Sequence, residues 1–211
     1  MTKTLCAVVS AVSLSVLTGC GGGGSSPTSP SGGGSNNTNT NTSTKDETAP
    51  VLSAAFVQAD LAVAFFIFGA TLPSGVENPT YEIETADQTP KVFAASAGKV
   101  VAITNSSNGV DRSVTIVPND QSVWSIIYDL VSNVRVSIGQ TVAAGAELGT
   151  MGILNNGRGR TELQINRFDP SPTLSYCPQT FGSSSFNAAF AAAAQRLNGS
   201  ATVCTTATVR P

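Results

Sequence analysis

Val136-Ser137-Ile138-Gly139-Gln140-Thr141-Val142-Ala143-Ala144-Gly145-Ala146-Glu147-Leu148-Gly149 is the stretch that decides the fold of this 211-residue chain. Short apolar pieces alternate in it with glycines, the pattern of a folded β hairpin whose turns need residues free to take unusual backbone angles. Working outward, residues 92–95, 99–104, 113–117, 123–130, 147–151 and 161–167 are rich in β-branched side chains and read as strands. Turn signals separate them: Ala97-Gly98, Ser107-Asn108-Gly109, Pro118-Asn119-Asp120, Ile138-Gly139-Gln140 and Asn155-Asn156-Gly157. No helical period competes until the tail. The expected fold is all-β, mainly antiparallel and partly barrel-like, with one C-terminal helix.

Residues 49–71 are strongly apolar, but Asp60 interrupts them and Gly69 follows, so residues 51–57 and 61–68 are expected as two buried strands in place of a membrane helix. Phe68-Gly69-Ala70-Thr71-Leu72-Pro73-Ser74-Gly75 reads as a loop leaving the second. In the tail, residues 185–197 form a helix: Ser184 or Ser185 can cap it, alanines fill it and Asn198-Gly199 stops it. Phe186, Phe190 and Leu197 fall near one face and would lie against the β domain. Cys177 and Cys204 flank this helix, and in an exported protein they are expected to pair.

Charged residues make up 11% of the chain and the formal charge is −2, so no basic stripe exists for a nucleic-acid backbone to follow, and nucleic acid is not an expected partner. Residues 1–19 carry Lys3 and an apolar run over 5–17, the pattern of a signal peptide. Its end, Leu17-Thr18-Gly19-Cys20, resembles the bacterial lipobox, which implies that Cys20 becomes a lipid-bearing N-terminus. Gly21 in place of Asp is similar to the outer-membrane address of Gram-negative lipoproteins, so a lipid-anchored, periplasm-facing position is implied. Residues 20–48, mostly Gly, Ser, Asn and Thr, cannot bury enough apolar surface to fold and are expected as a linker with a span of roughly 30 Å. The expected division is therefore a leader (1–19), lipidated cysteine and linker (20–48), β domain (49–175) and a helical, disulfide-bearing extension (176–211).

The order of strands and glycine turns across residues 68–167 resembles the LytM, or M23, zinc peptidase domain, of the duplicated-hybrid-motif type, which cuts peptide cross-links of bacterial cell walls. The hairpin pattern Val-x-x-Gly-Gln-x-Val-x-x-Gly-x-x-x-Gly is shared with lipoyl and biotinyl carriers, so a hairpin adaptor is the alternative. A carrier would need a modifiable lysine at a hairpin tip, and only Lys91 and Lys99 are near, both in strand-like contexts. M23 enzymes hold zinc through His-x-x-x-Asp and the second histidine of His-x-His, and two further histidines assist the reacting water. This chain has no histidine. By the resemblance, Asn78 and Glu82 stand at His-x-x-x-Asp, Asp129 follows Tyr128 at the central histidine, and Glu162 and Gln164 stand at His-x-His. Amides are poor zinc ligands, so one carboxylate remains among three metal positions, and no cofactor is expected. Calcium could use these oxygens, but it does not readily supply hydroxide at neutral pH. Tyr128, Arg158, Arg160 and Arg167 are expected along the groove rim, where arginines could attract peptide carboxylates. The resemblance thus implies a non-catalytic envelope protein that binds peptidoglycan peptides or a wall hydrolase such as an amidase. An active M23 metallopeptidase with unusual ligands is the remaining alternative.

Overall fold

Thr161, Leu163 and Ile165 are fully buried, whereas Arg160, Glu162 and Gln164 between them are half-buried. This period of two is what a strand with one face on the core produces. The strand is β9 (Gly159–Arg167), and it lies in the middle of the sheet. The computed structural model describes residues 44–106 and 109–211. Among them are ten further strands: β1 (Ala62–Phe66), β2 (Tyr81–Thr85), β3 (Lys91–Phe93), β4 (Gly98–Asn105), β5 (Arg112–Val117), β6 (Trp124–Ser132), β7 (Thr141–Val142), β8 (Glu147–Ile153), β10 (Leu174–Tyr176) and β11 (Thr208–Val209). The helix α1 (Ser184–Asn198) follows β10. The strands run β1-β2-β9-β8-β6-β5-β4-β7, with β3 on β8 and β10 between β9 and β11. The strand pairs are antiparallel, as expected, but β1 and β7 end the row without meeting, so the sheet is not closed into a barrel.

The sheet forks in its centre. β6 and β9 pair from Trp124↔Arg167 to Asp129↔Glu162; beyond that point β8 enters between them, with Val131 opposite Met151 and Gly152 opposite Arg160. Leu130, at the fork, has φ 57°, a left-handed conformation that costs a leucine roughly 1–2 kcal/mol. Across from it the pairing with β5 shifts register between Arg112 and Val114, the mark of a bulge. Gly152 is required here: a Cβ on it would lie 2.9 Å from the Leu130 carbonyl oxygen.

Three expectations change. The arms of the 136–149 stretch do not pair with each other: β7 pairs with β4, and β8 with β3, β6 and β9. Gly139 (φ 88°) and Gly145 (φ 83°) turn the chain so that its backbone bonds reach Val100 and Ala94 instead. Residues 51–57 are not a strand. Leu52, Phe56 and Val57 are buried, a spacing without alternation, and the backbone bonds go to Phe181, Ser183, Ala95 and Phe93 in irregular geometry. Conversely, β2, β10 and β11 form where no strand was expected, although Tyr81 and Ile83 do alternate with Glu82 and Glu84.

The helix is as expected, but its cap is Ser183, whose Oγ accepts from Phe186 N at 3.2 Å; Gly199, at φ 73°, ends it. Phe186 and Phe190 are buried and Leu197 is partly buried. Phe190 is the hub of the core, with ring centroids 4.7 Å from Phe186, 5.1 Å from Phe56, 5.6 Å from Tyr81 and 6.1 Å from Phe65. A Cys177–Cys204 disulfide brackets the helix, with Cα atoms 6.1 Å apart. No helix among the described residues is long and apolar enough to cross a membrane. The leader, Cys20 and the linker as far as residue 43 lie outside the described residues, and residues 45–48, expected as the linker's end, contact the sheet.

Candidate functional site at the strand fork

β2, β9 and β6 lie side by side, and their register sets Glu82 opposite Glu162 and Glu162 opposite Asp129. The three carboxylates form a row across the sheet face turned away from Leu163, where the fork begins. Like charges directly opposite on neighbouring strands repel, and the row is poorly hydrated: Glu82 is 8% exposed. Arg160, two residues before Glu162 on the same face, partly answers this. Its Nη2 donates to Glu162 Oε1 at 2.5 Å, and its Nε lies 3.0 Å from Glu82 Oε1 as an ion pair without hydrogen-bond alignment. Alongside, Arg158 pairs with Glu84 at 3.0 Å.

One guanidinium against three carboxylates leaves the row short of positive charge. Burial pushes the Glu82 carboxyl up to about 7, Arg160 opposes the shift, and the neighbouring Glu162 and Glu84 charges add to it. Burial raises Glu162 as well, with Arg160 opposing and Asp129 adding. The row therefore holds a proton near neutrality. Asp129 is oriented by Ser106, whose hydroxyl donates to Asp129 Oδ1 while accepting from Leu130 N at 3.1 Å. A cavity of about 160 Å³ opens at the fork, lined by Asp111, Leu130, Gly152, Asn155 and Arg160 among others. A larger apolar groove of about 500 Å³ runs beside α1, lined by Ala55, Phe93, Ala189 and Arg196 among others, and shares no residue with the row.

The other expected positions do not join the row. Asn78 is 2% exposed and has all four amide hydrogen-bonding sites in use: Nδ2 donates to the carbonyls of Phe66 (3.3 Å) and Ile67 (3.2 Å), and Oδ1 accepts from Thr80 N (3.2 Å) and Oγ1 (2.9 Å). It pins the end of β1 to the start of β2. Its bonds go to backbone carbonyls and to Thr80, not to the carboxylates of the row. Gln164 shares the face of Glu162, but its Nε2 donates to Asn166 Oδ1 and Ser175 Oγ, each at 2.9 Å. Tyr128, expected at the rim, is fully buried because it faces the core; its hydroxyl accepts from Ala95 N at 2.6 Å, and burial raises its pKa. Arg167 is at the far end of β9, where it donates to Asp169 O and Glu47 and lies 5.5 Å from the Trp124 ring centroid. Lys91 and Lys99 sit in β3 and β4, paired with Glu147 and Asp120 rather than carried on a hairpin tip.

Zinc does not fit these residues. The Asn78 amide is saturated, Gln164 offers only an amide oxygen, which is a poor zinc ligand, and Glu82 is ion-paired to Arg160. Among the described residues no group of three Asp, Glu, Cys or His side chains is placed to hold a metal ion.

The model of peptidase family M23 matches residues 78–169, the segment that contains the fork, the row and its three strands. Residues 78–169 are similar to an M23 peptidase domain. Two structures of lysostaphin share the fold: its solution structure, at 20% identity over 64% of this chain and 54% of that one (TM-score 0.50), and the antimicrobial peptidase lysostaphin from Staphylococcus simulans, at 19% over 67% and 56% (TM-score 0.50). Helicobacter pylori Csd3 is similar at 17% identity over 67% of this chain and 36% of its own (TM-score 0.48). This chain thus spans about half the length of the lysostaphin structures it matches. No curated protein matches it. In this M23-like domain Glu82, Glu162, Asp129 and Arg160 are brought together, whereas Asn78, Gln164, Tyr128 and Arg167 serve other contacts. Ser106, 23 residues from Asp129, belongs to the site without any spacing that announces it.

Proposed function

We propose that this chain is a non-catalytic M23-like protein of the bacterial envelope, which binds peptidoglycan peptides at the strand fork, where the cavity beside Arg160 opens. The observation that supports this reading is the internal bonding of the residues that the resemblance sets at the family's metal positions: Asn78 with its amide saturated, Gln164 tied to Asn166 and Ser175, and Glu82 paired with Arg160. A scaffold that keeps its groove and spends its ligand positions on its own fold suits binding better than zinc chemistry. Lipid attachment at Cys20 and an outer-membrane position belong to the same reading.

The test is incubation of the purified protein with cell-wall sacculi, with and without added zinc. The expected result is co-sedimentation with the sacculi and no peptides in the supernatant. Zinc-dependent peptide release, lost in Glu82→Ala, would overturn the non-catalytic reading. Absence of co-sedimentation would overturn peptidoglycan as the ligand and leave a wall-hydrolase partner as the alternative.

A further inference from the structure

Residues 45–48 cross the end of the sheet at Trp124. Asp46 N donates to Gln121 O at 2.7 Å, Val123 N to Asp46 O at 3.0 Å, and the Trp124 indole Nε1 to Glu47 O at 3.0 Å. Side chains add a Lys45–Asp169 ion pair, an Asn119–Asp46 hydrogen bond and an Arg167 Nη2–Glu47 Oε2 ion pair of 2.9 Å. None of these four residues brings an apolar side chain. Lys45, Glu47 and Thr48 are exposed and Asp46 is half-buried; the first buried residues are Pro50 and Leu52.

The printed bonds that hold the segment are polar. Exposed ion pairs contribute little and are screened by salt, and a stretch that brings no apolar side chain of its own opens more easily than the domain unfolds. What lies beneath is different. Trp124 is 5% exposed and packs edge-on against Tyr176 and Phe181, with centroids 5.1 and 5.2 Å away.

We propose that residues 45–48 are a releasable strap, which opens at Pro50 and uncovers the Val123 amide, the Trp124 indole N–H and the Arg167 guanidinium while the sheet stays folded. Those three donors converge on acceptors that the strap itself supplies, namely the Asp46 and Glu47 carbonyls and the Glu47 carboxylate. The strap thus occupies, in cis, a patch suited to an extended peptide that brings a carboxylate to Arg167 and a cation to Asp169.

Amide hydrogen exchange on the full chain tests this, comparing low salt with about 0.5 M salt, where the Debye length is only a few ångströms. Exchange at Val123 and at the Trp124 indole should rise roughly three- to fivefold with salt, the size expected for loss of one exposed ion pair, while the Leu163 amide of β9 stays unchanged. Glu47→Gln should give the same rise at low salt. Trp124 is the chain's single tryptophan, so its emission should move to longer wavelength in parallel. Protection of Val123 equal to that of Leu163, or no response to either salt or Glu47→Gln, would overturn the strap.

Discussion

Glu82 keeps its proton to about pH 7 because it is buried among like charges with one shared arginine beside it. The sign of the consequence follows from linkage. A carboxyl raised in the folded state binds more protons there than in the unfolded chain, so its stabilising effect is complete below about 4.5 and is lost as the pH climbs to about 7. Glu162, raised for the same chief reason, acts in the same direction. Glu82→Gln cannot ionise, and it should flatten the fall in stability between those pH values, a difference on the order of 3 kcal/mol. Urea unfolding across that range measures it; an unchanged slope would show that Glu82 titrates normally. Asn78 works through bonds rather than charge. Asn78→Ala strands the Phe66 and Ile67 carbonyls and Thr80 N, and should cost about 2–3 kcal/mol by the same measurement.

Among the elements, α1 anchors the aromatic core and the β6–β8–β9 fork positions the carboxylate row. The helix presents Phe190 to four aromatic rings, and truncation at the hub leaves a void that surrounding rings cannot fill. Phe190→Ala should destabilise the domain by about 3–5 kcal/mol. Reduction of Cys177–Cys204, which closes the chain across the helix over a separation of 27 residues, should cost about 3.5 kcal/mol if loop entropy dominates. Thermal melts with and without reductant check the second figure. At the fork, Gly152→Ala pushes a methyl into the Leu130 carbonyl and the Asp111 carboxylate, so β8 must withdraw from between β6 and β9. The expected signature is a lowered melting temperature together with altered Glu82 titration, since the row lies where the strands part.

For the whole molecule, the side chains of Asn78, Gln164 and Glu82 are engaged in bonds and ion pairs within the fold. A ligand that binds only the folded state raises its melting temperature, and one that does not bind leaves it alone. Added zinc or a chelator should therefore leave the melting curve of this protein in place, as differential scanning calorimetry can show. A zinc-dependent rise would mean that Glu82, Glu162 and Asp129 rearrange into a site that their register does not form.

The central strands, the capped C-terminal helix and the Cys177–Cys204 pair could be read from residue order because each is a local matter: β-branched runs, turn glycines, a serine before alanines, two cysteines around a helix. The absence of histidine and the chemical poverty of Asn78 and Gln164 as ligands were equally plain in the sequence. Pairing was not local. That β8 enters between β6 and β9, that Tyr128 turns inward, and that residues 51–57 pack without forming a strand depend on which distant backbone groups satisfy one another. The carboxylate row belongs to the same class. Its members are separated widely in sequence and are neighbours only because register aligns them, and Arg160 and Ser106 answer charges that exist together only in the folded sheet.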